Sequence, residues 1–135
     1  MNGKTRITSS ILLCLFIAAV AYLCFARPDN LPQAPMYLFG LPMDKLAHFV
    51  MFVPFPILAY MTFVNLEMSI WRKIAVLTVI MAAGAGMAIG TERIQSVLAY
   101  RTGDVNDFLS VCIGLLAGGL VILCGILIRD CKKKQ

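Results

Sequence analysis

Four apolar runs constrain this chain more than any other feature: Ile7 to Phe25, Met43 to Val64, Ile74 to Gly90, and the stretch from Asp107 to Ile128. Each is close to the roughly 20 residues that cross a bilayer as a helix. A soluble domain of this size would be about half apolar, with charge breaking up the apolar stretches. Here 60% of residues are hydrophobic and mean hydropathy is +0.84. The expected fold is therefore all-α: an integral-membrane four-helix bundle, one domain over residues 1–135, with helices near 7–26, 43–64, 73–92 and 107–128. The net charge of +5 comes from basic residues that flank the runs. That placement fits membrane orientation and argues against a nucleic-acid partner.

The first run has the basic flank of a signal peptide, in Lys4 and Arg6. It is longer than the roughly 7–15 residues of a signal core, so it reads as an uncleaved spanning helix. Pro28, Pro32, Pro35 and Pro42 mark the next stretch as loop. Met36 to Phe39 should keep that loop in the membrane interface. Pro54 and Pro56 should kink the second helix and free carbonyls there. Ala82, Gly86 and Gly90 recur every four residues on the third run, and Gly114, Gly118 and Gly119 lie on the fourth. Such small-residue faces permit close helix packing, within one chain or in a homo-oligomer. Trp71 is a candidate interface anchor. Cys14, Cys24, Cys112, Cys124 and Cys131 include no C-x-x-C pair and read as small packed residues.

The positive-inside rule sets the orientation. The N-terminus, the 65–73 turn and the tail hold eight of the twelve Lys and Arg residues. Both termini are thus expected in the cytoplasm. Five of the seven acids, Asp29, Asp44, Glu92, Asp104 and Asp107, fall on the other side. Lys132 to Lys134 serve as a topology signal near anionic lipid.

Ionisable residues at the mouths of the runs are costly in hydrocarbon and are read as functional, with partners to be found. Asp44, Lys45 and His48 open the second run; Glu92 and Gln95 close the third; Arg101, Asp104 and Asp107 lead into the fourth. All lie on the outer side under the orientation above. Asp44 and His48 are four apart and share a helix face, with His48 about 6 Å deeper. A buried imidazole needs a partner, and Glu92 or Asp107 is the expected one.

These residues resemble the VanZ-like family, whose pattern is Asp-Lys-x-x-His-Phe, then Glu-x-x-Gln, then Arg-x-x-Asp-x-x-Asp with a following glycine. Here they are Asp44, Lys45, His48 and Phe49; Glu92 and Gln95; Arg101, Asp104, Asp107 and Gly114. The match spans residues 40 to 118, and its specificity lies in three weak parts occurring in order. Val111 departs from the pattern, which often has Asn or Asp there. The resemblance implies a small multi-pass protein of the bacterial cytoplasmic membrane. The family takes its name from a member associated with resistance to a glycopeptide antibiotic, teicoplanin; membership does not by itself fix function.

Two functions from different classes fit the residues. In the first, Asp44, Lys45, His48, Glu92, Gln95, Arg101, Asp104 and Asp107 bind a polar group at head-group depth. The ligand would be a membrane lipid, a lipid-linked cell-wall precursor or an amphiphilic antibiotic, with Lys45 and Arg101 pairing with phosphate or carboxylate. In the second, the protein is a hydrolase or transferase on a lipid-linked substrate, with His48 as general base oriented by Glu92 or Asp107. A metal site from His48, Glu92, Asp104 and Asp107 is a weaker variant; the sequence calls for no metal or cofactor. With one His and no nucleophile motif, binding is expected ahead of catalysis. A purely structural role, locking helices together, is the remaining reading. The polar groups gather at the edge of the runs, not at the midplane where a transporter holds its ions.

Overall fold

The computed structural model describes residues 3–26, 37–38, 40–65, 67–98 and 105–133. Helix α1 covers Gly3–Phe25. A two-residue antiparallel pair follows, β1 (Tyr37–Leu38) and β2 (Leu41–Pro42), in register Tyr37↔Pro42 and Leu38↔Leu41. Gly40 turns the chain between them at φ +78, a conformation that glycine adopts without steric cost. Then come α2 (Met43–Phe52), α3 (Pro54–Phe63), α4 (Ile70–Val97) and α5 (Val105–Lys133). With α2 and α3 taken as one broken helix, four helices are long and apolar enough to cross a membrane. The chain is a multi-pass all-α membrane protein.

The break falls at Val53, whose backbone stays helical at φ −61 and ψ −44. It is a kink, not an end. Proline at 54 and 56 has no N–H to offer the carbonyls of Val50 and Phe52, four residues back in each case. The seat of the kink is thus the one the prolines prescribe.

Helix limits differ from the expected ones at the polar ends. The third helix runs over 70–97, not 73–92, and the fourth over 105–133, not 107–128. Hydropathy marks where hydrocarbon stops. Glu, Arg, Gln and Lys are good helix formers, so the hydrogen-bond ladder continues past that point. Ser69 starts α4, its hydroxyl oxygen accepting from the Arg72 N–H at 3.5 Å.

Packing follows helical stripes. On α4 the buried residues are Leu77, Ile80, Gly84, Ala88 and Gln95. This corrects the expected close-packing face. Ala82 and Gly86 are exposed, and a Cβ added at Gly86 or Gly90 would meet nothing within 4 Å. Gly84 is the glycine that faces inward, against Leu115 and Phe55. On α5 the inner stripe includes Asp107, Val111, Gly114, Leu115, Gly118, Ile122 and Ile126. The main core joins Leu13 and Val20 of α1, Phe52 of α2, Phe55 and Ala59 of α3, Ile80 of α4, and Val111 and Leu115 of α5. Val111 is therefore a fully packed core side chain one turn below Asp107.

Gly114 and Gly118 bring α5 onto the backbone of α2 and of the kink. A Cβ at Gly114 would collide with the Phe49 carbonyl oxygen. One at Gly118 would collide with the Val53 carbonyl oxygen and lie 2.6 Å from Pro56 Cγ. A built Cβ replaces one Cα hydrogen, so at both positions a Cα–H points at a carbonyl oxygen. In lipid, where apolar burial drives association weakly, such contact between backbones is the main source of helix affinity.

Serine and threonine hydroxyls within the helices donate mostly to the preceding turn. Ser9 and Thr62 bond the carbonyls of Thr5 and Leu58 at 2.8 and 2.9 Å. These hydroxyls place no unsatisfied donor in the apolar interior. Arg6 Nε donates to the Thr62 carbonyl at 3.3 Å, a cation at the C-terminal end of α3 that ties α1 to it.

Candidate functional site

The polar residues singled out on the runs gather at one end of the bundle, where α1 and α4 finish and α2 and α5 begin. Asp44 stands in the first turn of α2 and Asp107 in the first turn of α5, where each carboxylate meets the positive end of a helix dipole. Asp107 is 8% exposed because it continues the inner stripe of α5 through one more turn. Lys45 reaches across from α2. Its Nζ donates to Asp107 Oδ1 at 3.4 Å and lies 4.0 Å from Asp44 Oδ2. The lysine side chain keeps 27% of its surface and Asp44 55%, whereas Asp107 keeps 11%. The pair is open on the Lys45–Asp44 side and closed on the Asp107 side. His48, one turn after Asp44 on α2, is with Asp44 and Lys45 among the ionisable groups that act on Asp107.

The hydrogen bond of His48 differs from the expected one. Its Nδ1 lies 2.9 Å from the Asp44 carbonyl oxygen, one turn back on its own helix, and Glu92 and Asp107 are not its hydrogen-bond partners. A carbonyl only accepts, so Nδ1 carries the hydrogen. In the neutral ring Nε2 is then the basic nitrogen.

On α4, Glu92 is half-buried and Gln95 is 4% exposed. Gln95 Nε2 donates to the carbonyl oxygen of Cys24 on α1 at 2.9 Å. The structure thus draws Asp44, Lys45, His48 and Asp107 into one cluster on α2 and α5, and links Gln95 to α1. Arg101 and Asp104 lie outside the described residues. So do Pro28, Pro32, Pro35, Met36 and Phe39 of the first loop.

Sequence reasoning missed the Cys24 carbonyl, a backbone group that no side-chain motif flags. A signal was available, because a glutamine on the inner stripe of an apolar helix requires a partner. Helical spacing does not say on which neighbour to look. Among the described residues, no three His, Cys, Asp or Glu side chains are grouped to hold a metal ion.

Chemically, the cluster pairs one cation with two carboxylates beside an imidazole of fixed tautomer, at the edge of the spanning segments. That arrangement can exchange ionic partners with a bound head group, and it can accept a proton at Nε2.

Comparison with curated proteins gives no match, and neither does comparison with solved structures. The family model described as VanZ/LLP1 matches residues 4–128, nearly the whole chain and both sides of the cluster. The protein belongs to the VanZ/LLP1 family.

Proposed function

We propose that this is a binding protein of the bacterial cytoplasmic membrane whose polar rim, on the extracytoplasmic side, holds the head group of an amphiphile. The ligand is a membrane lipid, a lipid-linked cell-wall precursor or a glycopeptide-type antibiotic, and resistance of the teicoplanin type is one outcome of holding it. The observation that carries this reading is the Lys45–Asp107 pair between α2 and α5, with Asp44 beside it. Lys45 Nζ, 3.4 Å from Asp107 and 4.0 Å from Asp44, can meet a ligand phosphate from its open side while it stays beside the buried Asp107 carboxylate. Arg101, which precedes α5 in the sequence, is the second cation of the proposed site, able to fork onto phosphate or carboxylate, and Glu92 and Asp107 are the acids proposed to orient the cations. The sidedness rests on the basic residues, eight of which lie on the opposite set of loops.

Native mass spectrometry of the purified protein, read for bound lipids and added amphiphiles, tests the proposal. Wild type should retain a ligand that Lys45→Ala and Arg101→Ala lose. Equal retention by both variants would refute it.

A catalytic reading is favoured by one specific observation, the Nδ1–H bond of His48 to the Asp44 carbonyl, which leaves Nε2 free to act as a base. The reaction class would be hydrolysis or group transfer on a lipid-linked substrate, with Asp107 and Glu92 orienting the substrate. His48→Gln keeps a polar side chain but removes the base. Unchanged function in that variant would leave binding as the sole role.

A further inference from the structure

We infer that the head group held by the rim carries a hydrogen-bond donor beside its phosphate, a hydroxyl or an ammonium, and that Asp107 accepts from it. The inference rests on the binding reading above and narrows its ligand class. It starts from the supply of donors and acceptors. Asp44 and Asp107 bring two carboxylates, each with about four lone-pair sites, and His48 Nε2 is a further acceptor. Against these stand the three N–H groups of Lys45, since the Nδ1–H of His48 is already spent on the Asp44 carbonyl. Asp44 can turn to solvent, with 55% of its side chain exposed.

Asp107 cannot. It is 8% exposed, and among the described residues Lys45 is its hydrogen-bond donor, through Oδ1 at 3.4 Å. A strong bond between such charges closes to about 2.7–2.9 Å. No N–H or O–H among the described residues donates to Oδ2. A buried carboxylate oxygen in that condition is costly and calls for a partner. The fold holds Asp107 in place, on the stripe that Gly114 and Gly118 press against the carbonyls of Phe49 and Val53. Val111, one turn below and 2% exposed, offers no donor. The donor has to come from the mouth, where Lys45 and Asp44 keep part of their surface open. Because Lys45 Nζ already touches this carboxylate, a ligand whose phosphate meets Lys45 sets its neighbouring atoms beside Oδ2. A hydroxyl or an ammonium there makes a charge-assisted bond to Asp107, and a methyl group does not. The rim thus selects among lipids of equal charge by what stands next to the phosphate.

The test uses lipid pairs that differ in that donor. Purified full-length protein in detergent is offered equimolar phosphatidylglycerol and phosphatidylmethanol, of equal charge and with the same acyl chains. The bound fractions are read by native mass spectrometry. A second mixture pairs phosphatidylethanolamine with phosphatidylcholine, whose trimethylammonium has no N–H. Wild type should retain the donor-bearing member of at least one pair on the order of tenfold more than its companion, the effect of one hydrogen bond to a charged group. Preference in the first pair assigns a hydroxyl, and preference in the second an ammonium. Asp107→Leu has no acceptor and should erase the preference. Equal retention within both pairs overturns the inference, as it would if water satisfied Oδ2. A preference that survives Asp107→Leu overturns it too, and so does retention of none of the four lipids. The wild-type comparison decides even where the variant fails to fold. Equal retention within the pairs that Lys45→Ala and Arg101→Ala abolish removes this inference and leaves the binding reading standing. Retention unchanged in those two variants removes both.

Discussion

Two rows of small residues with the same spacing meet opposite fates in this protein. On α5, Gly114 and Gly118 press against the carbonyls of Phe49 and Val53. On α4, Ala82, Gly86 and Gly90 share an equal spacing of four, yet Gly86 and Gly90 have nothing within 4 Å of an added Cβ. Spacing shows that a helix can come close to another; it does not say which side is used. The deciding information lies on the neighbours. The inner stripe of α4 runs through Leu77, Ile80, Gly84, Ala88 and Gln95, and it is the large apolar Leu77 and Ile80 that need burial more than small residues do. On α5 the glycines lie on the same stripe as Asp107, so the row that packs tightly is also the row that brings a carboxylate to Lys45.

The largest effects should come from filling the inner row. Gly118→Ala sets a methyl against the Val53 carbonyl and the Pro56 ring, neither of which is a flexible side-chain end. A loss of about 1–3 kcal/mol is expected, the range for overpacking. Thermal unfolding in detergent would show it, and Gly114→Ala should behave alike. Unchanged stability in both would dissolve the contrast between the rows. Gly84→Ala should cost less, about 1 kcal/mol, because the atoms it meets first, Leu115 Cδ2 at 2.6 Å and Phe55 Cε1 at 3.0 Å, end side chains that can turn away.

The outward row should give the smallest change. Gly86→Ala is expected to leave stability within about 0.5 kcal/mol or to raise it slightly, since alanine is the better helix former. A clear loss, together with a change in mass by light scattering, would mean that a second copy covers this face. That result would turn the contrast into one between an internal and an external seam.

Much of the fold was legible in the sequence, because hydrocarbon imposes a length and a composition on every crossing. The seat of the kink was legible too, from the missing hydrogens of Pro54 and Pro56. Helix ends were not, because Glu92, Arg93 and Gln95 prolong α4 beyond the apolar run without any break in the ladder. In the candidate site, Asp44, Lys45 and Asp107 were found by sequence because charges at helix mouths need explaining. The partners of His48 and Gln95 were missed for a common reason: both are backbone carbonyls, and every residue has one. Val111 was readable as a departure from the family pattern, but not as the packed floor beneath Asp107 that it proves to be.

The account turns on Lys45 and Asp107 acting as a pair across α2 and α5. A double-mutant cycle measures this directly, with Lys45→Met, Asp107→Asn and their combination compared by thermal stability in detergent and by retained ligand. The account predicts a coupling of at least about 0.6 kcal/mol, toward the upper limit of about 1.7 found for polar contacts between membrane helices. It also predicts that the exchanged pair, Lys45→Asp with Asp107→Lys, recovers stability that each single change loses. Strictly additive losses, with no recovery on exchange, would contradict it.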